Sequence, residues 1–375
     1  MNSTPGGLSE NDSVVLAEPT RDALRTLGRM LVEVGYTEDA IAEIVGARDP
    51  DEMLSHTANY AYFTDEETTE LATTVGVLAR LFLLNRAVPA PVVRTSLKRE
   101  LYATLESLGF LSTAQGACRG TVSVTPYRSR LFLSDQLFTS KGPQKVRHST
   151  RTDMVMPPHA TSILSLSEVP DVTGSLLDVG CAGGFLSIMA ESRCDRVVGI
   201  DINPRAIRYA RANATMNNTA AWFETADIGE YSIHAKRSFD NLLFNAPSLP
   251  RFRAENSEMG QMSAQAAFML IASAARRTLC RGGTARIVIT AEVQAKFGSL
   301  TAMVDEWSAS AGAPETTVRE LDAPSLGITP EQLRSRRLHG RSLLVTERSD
   351  VDLLMNALLE RDVIEVVPAV IRLNM

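Results

Sequence analysis

The sequence is poor in the residues that most often announce a chemistry. It has 4 cysteines and 5 histidines in 375 residues. Cys118, Cys181, Cys194 and Cys280 form no C-x-x-C pair and the histidines are scattered, so no metal site is expected. Sparse, unpaired cysteines suit a reducing compartment, and a cytoplasmic location is expected. Aromatic residues make up only 6% of the chain, which leaves few platforms for stacking nucleic-acid bases. No run approaches the roughly 20 apolar residues that a membrane span needs. The N-terminal MNSTPGGLSENDS has neither the basic start nor the apolar core of a secretory signal.

What is present points to an ordinary globular chain of two domains, with 44% hydrophobic residues. The charge is unevenly placed. Residues 1–70 carry 4 Lys/Arg against 15 Asp/Glu, and the remaining 305 carry 34 against 29. The net charge of -6 therefore hides an acidic first segment and a mildly basic remainder.

Residues 1–18, with Pro5, Gly6 and Gly7, read as a flexible leader. From Arg21, Leu24, Leu27, Leu31 and Val34 recur at helical spacing up to Gly35. A short helix is expected over 39–45, and a longer one capped by Asp65 with Leu71, Val75, Leu78 and Phe82 on one face. Pro89 and Pro91 open another short helix, and Leu101, Leu105 and Leu108 mark a helix over 97–108. Alternating segments 121–125 and 127–133 flank Pro126 and suggest a two-stranded ribbon. That order is winged-helix-like, so residues 19–135 are expected to form a helical accessory domain for substrate or dimer contacts. Residues 136–160, with Lys141, Lys145, Arg147 and Arg151, read as a linker, in which Pro157-Pro158 makes Met154–Ala160 stiff and non-helical.

Residues 161–375 alternate strands with helices. Strands are expected at 176–179, 196–200, 220–224, 239–245, 284–290, 316–321 and 342–346, and helices at 184–192, 204–216, 261–280 and 299–311. The segment 350–375 reads as one helix and one strand. This pattern predicts an α/β fold with an open, largely parallel sheet.

The informative run is LLDVGCAGGF at 176–185. A short apolar strand ends at Asp178, and small residues lead into a helix whose unpaired N–H groups face a ligand. The next strand ends at Asp201, 17 residues after Gly184, where a carboxylate can accept from both hydroxyls of a ribose. DVGCAGG followed by VVGIDINPRAIRYARANA resembles the cofactor half of a class I S-adenosylmethionine-dependent methyltransferase of the small-domain group. The resemblance implies a Rossmann-like sheet over roughly 154–290 with S-adenosyl-L-methionine as cofactor, and a lid at Met154–Ala160 over the cofactor's methionine end. It implies that Asp178, Gly180, Cys181, Ala182 and Gly183 cradle the methionine part. Asp201 would then hold the ribose, Ile202 would lie against the adenine, and Asp227 with Ile228 would meet the adenine edge. Ala182 stands where the family often has a glycine.

The fourth strand ends in Asn245-Ala-Pro-Ser248, which resembles the Asn-Pro-Pro-Tyr motif of enzymes that methylate planar nitrogens. The resemblance makes Asn245, Pro247 and Ser248 the catalytic candidates, with Asn245 also near the cofactor. Ser248 replaces the stacking ring, so Tyr127, Phe185, Phe244 or Phe252 would have to supply one. His148, His159 and Glu292 are the candidate bases for an acidic acceptor. The expected acceptor is a small molecule of bacterial secondary metabolism, with nitrogen favoured over carbon or oxygen. Ribosomal RNA or a protein side chain is the alternative, and Arg334, Arg336, Arg337 and Arg341 keep RNA open. A homodimer is one use for the accessory region. A non-catalytic DNA-binding regulator is disfavoured, because the 97–108 helix pairs Lys98 and Arg99 with Glu100 and Glu106.

Overall fold

The computed structural model describes residues 18–55, 57, 60, 73–140, 146–149, 151, 153–250, 262–313, 315–338 and 349–375. The chain divides into two units: Met1–Ile163 with Ala182–Ile188 and Asn203–Phe223, and Leu164–Cys181 with Met189–Ile202 and Glu224–Met375.

In the first unit the leucine stripe becomes α1 (Glu18–Glu33), with Leu24, Leu27 and Leu31 fully buried. Thr37 caps α2 (Glu38–Val45), its hydroxyl accepting from the Ala40 amide. After α3 (Pro50–Ser55), Thr73 caps α4 (Thr74–Phe82). The expected Asp65 cap and Leu71 lie outside the described residues. Strand β1 (Val88–Pro89), α5 (Ala90–Ser96), α6 (Arg99–Ser107), β2 (Leu111–Ala114) and β3 (Ala117–Gly120) follow, and the three strands pair in the order β1-β3-β2.

The ribbon differs from the expectation. β4 (Ser123–Tyr127) pairs with β5 (Arg130–Ser134), and the turn is Arg128-Ser129 rather than Pro126. Pro126 sits inside β4, which a two-stranded hairpin tolerates because one edge of each strand has no ladder to complete. A shorter hairpin, β6 (Phe138–Ser140) with β7 (Val146–His148), occupies part of the expected linker. Helix α7 (Ala160–Ser165) then opens the chain towards the second unit.

The first unit also holds most of α8 (Phe185–Ala190) and all of α9 (Pro204–Met216). Asn213 of α9 and Asn217, which caps its C-terminal end, lie one turn apart and hold β5 as a strand partner would. Asn213 Oδ1 accepts from the Leu133 amide at 2.7 Å, and its Nδ2 donates to the Leu133 and Gly183 carbonyls at 3.0 and 2.8 Å. Asn217 repeats the pattern on Leu131, at 2.9 and 2.7 Å. A buried ion pair braces the helix start: Arg205 donates both Nη groups to Asp135 at 2.8 Å. The same carboxylate accepts from the Tyr209 hydroxyl and the Val155 amide. Burial, and then the charge of Asp135, pushes the Tyr209 phenol well up, so it stays a donor.

The second unit is built on a seven-stranded sheet. Its strands are β8 (Gly174–Val179), β9 (Cys194–Asp201), β10 (Trp222–Thr225, the first two residues grouped with the first unit), β11 (Phe239–Asn245), β12 (Leu279–Gln294), β13 (Glu315–Glu320) and β14 (Val363–Asn374). They lie in the order β10-β9-β8-β11-β12-β14-β13. β8 pairs in parallel with β9 and β11, and β11 with β12. β14 is antiparallel to both of its neighbours, which makes a mostly parallel, Rossmann-like sheet. Helices α10 (Ile228–His234), α11 (Ala264–Thr278) and α12 (Leu300–Ala311) follow the strands, and α13 (Pro330–Ser335) and α14 (Ser349–Glu360) precede β14. Phe268 and Ile271 of α11 and Trp307 of α12 pack into the core with Leu242, Ile287 and Ile371. The expected strand at 342–346 lies outside the described residues.

One face of this sheet carries a buried charge cluster. Glu168 is fully buried and accepts from Arg319 at 2.6 Å and from Arg372 at 2.8 Å. Arg286, also buried, donates to Asn241 at 2.7 Å. The cluster fastens the 3-10 turn Leu166–Asp171 against β12, β13 and β14. Removing one partner would leave an uncompensated charge, which is why such groups occur together.

Candidate active site

The strand register brings the predicted residues to one level of the second unit. Val179 of β8 faces Ile200 of β9 on one side and Phe244 of β11 on the other. The residue after each is therefore Gly180, Asp201 and Asn245, three chain exits on adjacent strands about 4.8 Å apart. β8 is also where the strand order reverses, with β9 and β10 to one side and β11 to the other. In open α/β sheets the crevice at that reversal is where ligands bind.

Each exit is fixed by backbone bonds. The Cys181 amide donates to the Ile200 carbonyl, the Ala226 amide to that of Asp201, and the Ala246 amide to that of Val288. Gly180 has φ +62° and is exposed, and a side chain there would meet the Phe244 ring at 3.3 Å. Asp178 is 1% exposed, and Asp201 is half-buried at the strand end. Ile202, beside it, is 70% exposed. The Cys181 thiol is pushed well up by burial, and next by the charges of Asp178 and Asp201. It remains protonated and is no nucleophile.

Asp227 is exposed and caps α10, accepting from the Gly229 and Glu230 amides at 2.7 and 3.2 Å, while Ile228 is buried. Pro247 is exposed, but Ser248 is 5% exposed and its hydroxyl accepts from the Thr290 amide at 2.9 Å. That bond ties the motif to β12. Ala182 and Gly183, the rest of the loop, are grouped with the first unit. Gly184, just beyond, is a packing residue: a Cβ there would lie 2.7 Å from the Phe223 ring.

Ala182 holds φ +48°, in the region where glycine is at ease. Ala182→Gly is therefore expected to raise stability by about 0.5 kcal/mol, the left-handed strain outweighing glycine's extra chain entropy. A lower thermal midpoint would show that the methyl group is held by its own contacts.

The remaining candidates have other partners. His159 bonds the Pro157 carbonyl and the Thr161 hydroxyl, each at 3.0 Å, and burial lowers its pKa. Glu292 takes a two-pronged bond from Arg361, at 2.8 Å for each oxygen. Tyr127, Phe185 and Phe244 are all buried; Phe185 packs on Tyr127 and Phe132. Phe252 and Arg341, and the side chain of His148, lie outside what is described. Arg336 ends α13 in the left-handed region and bonds Asn356. Among the described residues no group of His, Cys, Asp and Glu could hold a metal ion. No described helix is long and apolar enough to cross a membrane.

Residues 159–314 match the family model of the methyltransferase small domain. The chain carries a class I S-adenosylmethionine-dependent methyltransferase domain of the small-domain group. A putative protein N5-glutamine methyltransferase of Methanocaldococcus jannaschii is 38% identical over 98 residues, 26% of this chain and 48% of that protein. A ribosomal protein L11 methyltransferase of Polynucleobacter necessarius is 39% identical over 77 residues, 20% of this chain and 24% of that protein. The chain thus spans about half the length of the first and a quarter of the second. A solved geranyl diphosphate methyltransferase aligns with 57% of this chain and 76% of its own, at 16% identity and a TM-score of 0.35.

The methyltransferase domain fits S-adenosylmethionine on its own residues. The cofactor carries a positive sulfonium and an ammonium group, and Asp178 and Asp201 supply carboxylates at the strand ends. Gly180 leaves the loop without a side chain where a ligand must approach. Ile202 offers an apolar surface beside the carboxylate that would take a ribose. When bound, the cofactor supplies an activated methyl group.

Proposed function

We propose that the whole protein is a methyltransferase that modifies a planar nitrogen of a protein side chain. The observation that carries this reading is Asn245, half-buried at the end of β11 and level with Gly180 and Asp201. An amide side chain there can accept from an acceptor's N–H₂ and orient its lone pair. The catalysis required is chiefly positioning, since the donor is already reactive. The relatives named as protein methyltransferases favour a protein acceptor over the small molecule expected from the sequence. A protein acceptor also suits a motif with Ser248 in the place of the stacking ring, since a side-chain amide needs no such ring.

On this proposal Asn245 and Pro247 shape the acceptor site, and Ser248 holds it to β12. Gly180, Cys181, Ala182, Gly183, Asp201, Ile202 and Asp227 serve the cofactor. The accessory region, 19–135, would select the acceptor, and its α4-β1-α5-α6-β2-β3 order supports a winged-helix-like reading of it. Residues 136–160 would be the linker and lid.

The test is incubation with a deuterated methyl donor, followed by mass spectrometry of separate protein, ribosomal RNA and metabolite pools. Label on a protein amide nitrogen is expected; label confined to metabolites or RNA would overturn the reading. Asn245→Ala is expected to cut turnover about a hundredfold while cofactor affinity stays within about twofold. Full activity in that variant would remove Asn245 from the catalytic step.

A further inference from the structure

In the first unit a recess of about 220 Å³ lies between the start of α1 and the end of α9. Arg21 and Arg25 line it from α1, and Arg211 from α9. Thr219, Trp222 and Phe223 complete the relevant wall, and among the described residues no carboxylate lines it. Arg211 donates through Nε and Nη2 to the Phe223 carbonyl at 3.1 and 2.8 Å, which fixes the guanidinium plane and leaves its Nη1 edge for a ligand. Arg25 pairs with Asp22 at 3.0 Å on the exposed surface, a pairing weak enough to exchange.

Two features go beyond positive charge. Trp222 is 61% exposed, whereas the other tryptophan of the chain, Trp307, is 4% exposed. An indole left open beside arginines is a stacking surface for a planar group. The Thr219 hydroxyl, on the wall of the recess, is buried with no hydrogen-bond partner among the described residues. The helix dipoles do not decide the matter. The start of α1 favours an anion and the end of α9 opposes it by a similar amount, leaving the guanidinium groups to set the sign, Arg211 foremost because its partner is a neutral carbonyl.

We infer that this recess binds a phosphorylated nucleotide unit, with the base on Trp222 and the phosphate among Arg21, Arg25 and Arg211. Guanidinium forks match phosphate oxygens, and the indole takes any base without reading its identity. The nucleotide has two sources, a free mononucleotide or one residue of a single RNA strand. The inference stands apart from the methyl-transfer reading and uses none of the residues assigned to the cofactor or to the Asn245 motif.

The full chain is titrated with guanosine 5′-monophosphate, a fluorescein-labelled oligouridylate, inorganic phosphate and an acidic peptide. S-adenosylhomocysteine is kept in excess, so that no nucleotide enters the cofactor site. Quenching of tryptophan emission by the nucleotide and the oligouridylate is expected, because Trp307 is buried and Trp222 is open. Arg21→Gln with Arg25→Gln is expected to weaken binding about tenfold or more, and to lower the dependence of log affinity on log salt by about one to two. Melting and S-adenosylhomocysteine affinity should not change, and Arg25→Gln alone, on an exposed position, serves if the double variant folds poorly. An oligouridylate bound at least about tenfold tighter than the mononucleotide identifies an RNA strand, and equal affinity identifies a free nucleotide. The inference is overturned if phosphate or the acidic peptide binds as well as the nucleotide. It is equally overturned if a folded arginine variant binds as the natural chain does.

Discussion

Asp201→Ala is expected to weaken S-adenosylmethionine binding about a hundredfold or more, read by calorimetry. The carboxylate stands at the end of β9, and its backbone is held by the Ala226 amide, so the substitution leaves the strand in place. Hydrogen bonds to an ionised acceptor are worth about 1.5–3 kcal/mol each, and two ribose hydroxyls give about 3 kcal/mol or more, a factor of at least one hundred. Asp201→Asn keeps one acceptor oxygen and should fall between, near tenfold by the same arithmetic. The neighbouring Ile202 is 70% exposed and stays able to cover an adenine in both variants. Unchanged affinity in the alanine variant would take the ribose assignment away from Asp201.

Asn213→Ala should be the most damaging substitution for the fold. The side chain is fully buried and serves three backbone groups: the Leu133 amide and carbonyl, and the Gly183 carbonyl. Alanine cannot replace any of them, and each orphaned buried group costs about 1–3 kcal/mol, for a total near 3–5 kcal/mol if water reaches one of the three. Because the chain has two units, a single midpoint is a poor measure. Hydrogen exchange is the sharper one, with protection lost at 131–134 and 182–184 before the sheet of the second unit opens. Asn213→Asp should be no milder, since it keeps one acceptor but loses both donors and buries a charge. Near-natural exchange at Leu133 in the alanine variant would show that the hairpin is held by its apolar packing alone.

Local patterns made elements of both units legible. The expected strand 239–245 and helix 204–216 coincide with β11 and α9, because alternation and helical spacing are properties of a few consecutive residues. The placement of the candidate residues was legible for the same reason: Asp178, Gly180 and Asp201 lie at strand ends that the sequence pattern marks. What stayed hidden depends on distant partners. Nothing near Asn213 shows that it will meet Leu133, 80 residues away. Ser248 reads as a substrate contact until β12 arrives to take its hydroxyl. The Arg128-Ser129 turn escaped notice because both residues adopt positive φ, 45° and 60°, without the glycine or asparagine that usually signals it. Pro126 looked like a break, and the edge of a small hairpin accommodates it.

The order of the last strands bears on how the chain is made. Among the described residues β13 pairs only with β14, whose first residue is translated more than 40 positions after β13 ends. At about 5–20 residues per second, β13 emerges from the ribosome seconds before β14 exists. β12, sixteen residues long, waits with one open edge for the same strand. A nascent chain stalled in this interval exposes two strand edges at once, the feature that invites pairing with other chains. One late strand therefore governs both the closure of the sheet and the window in which the growing chain needs protection from its neighbours.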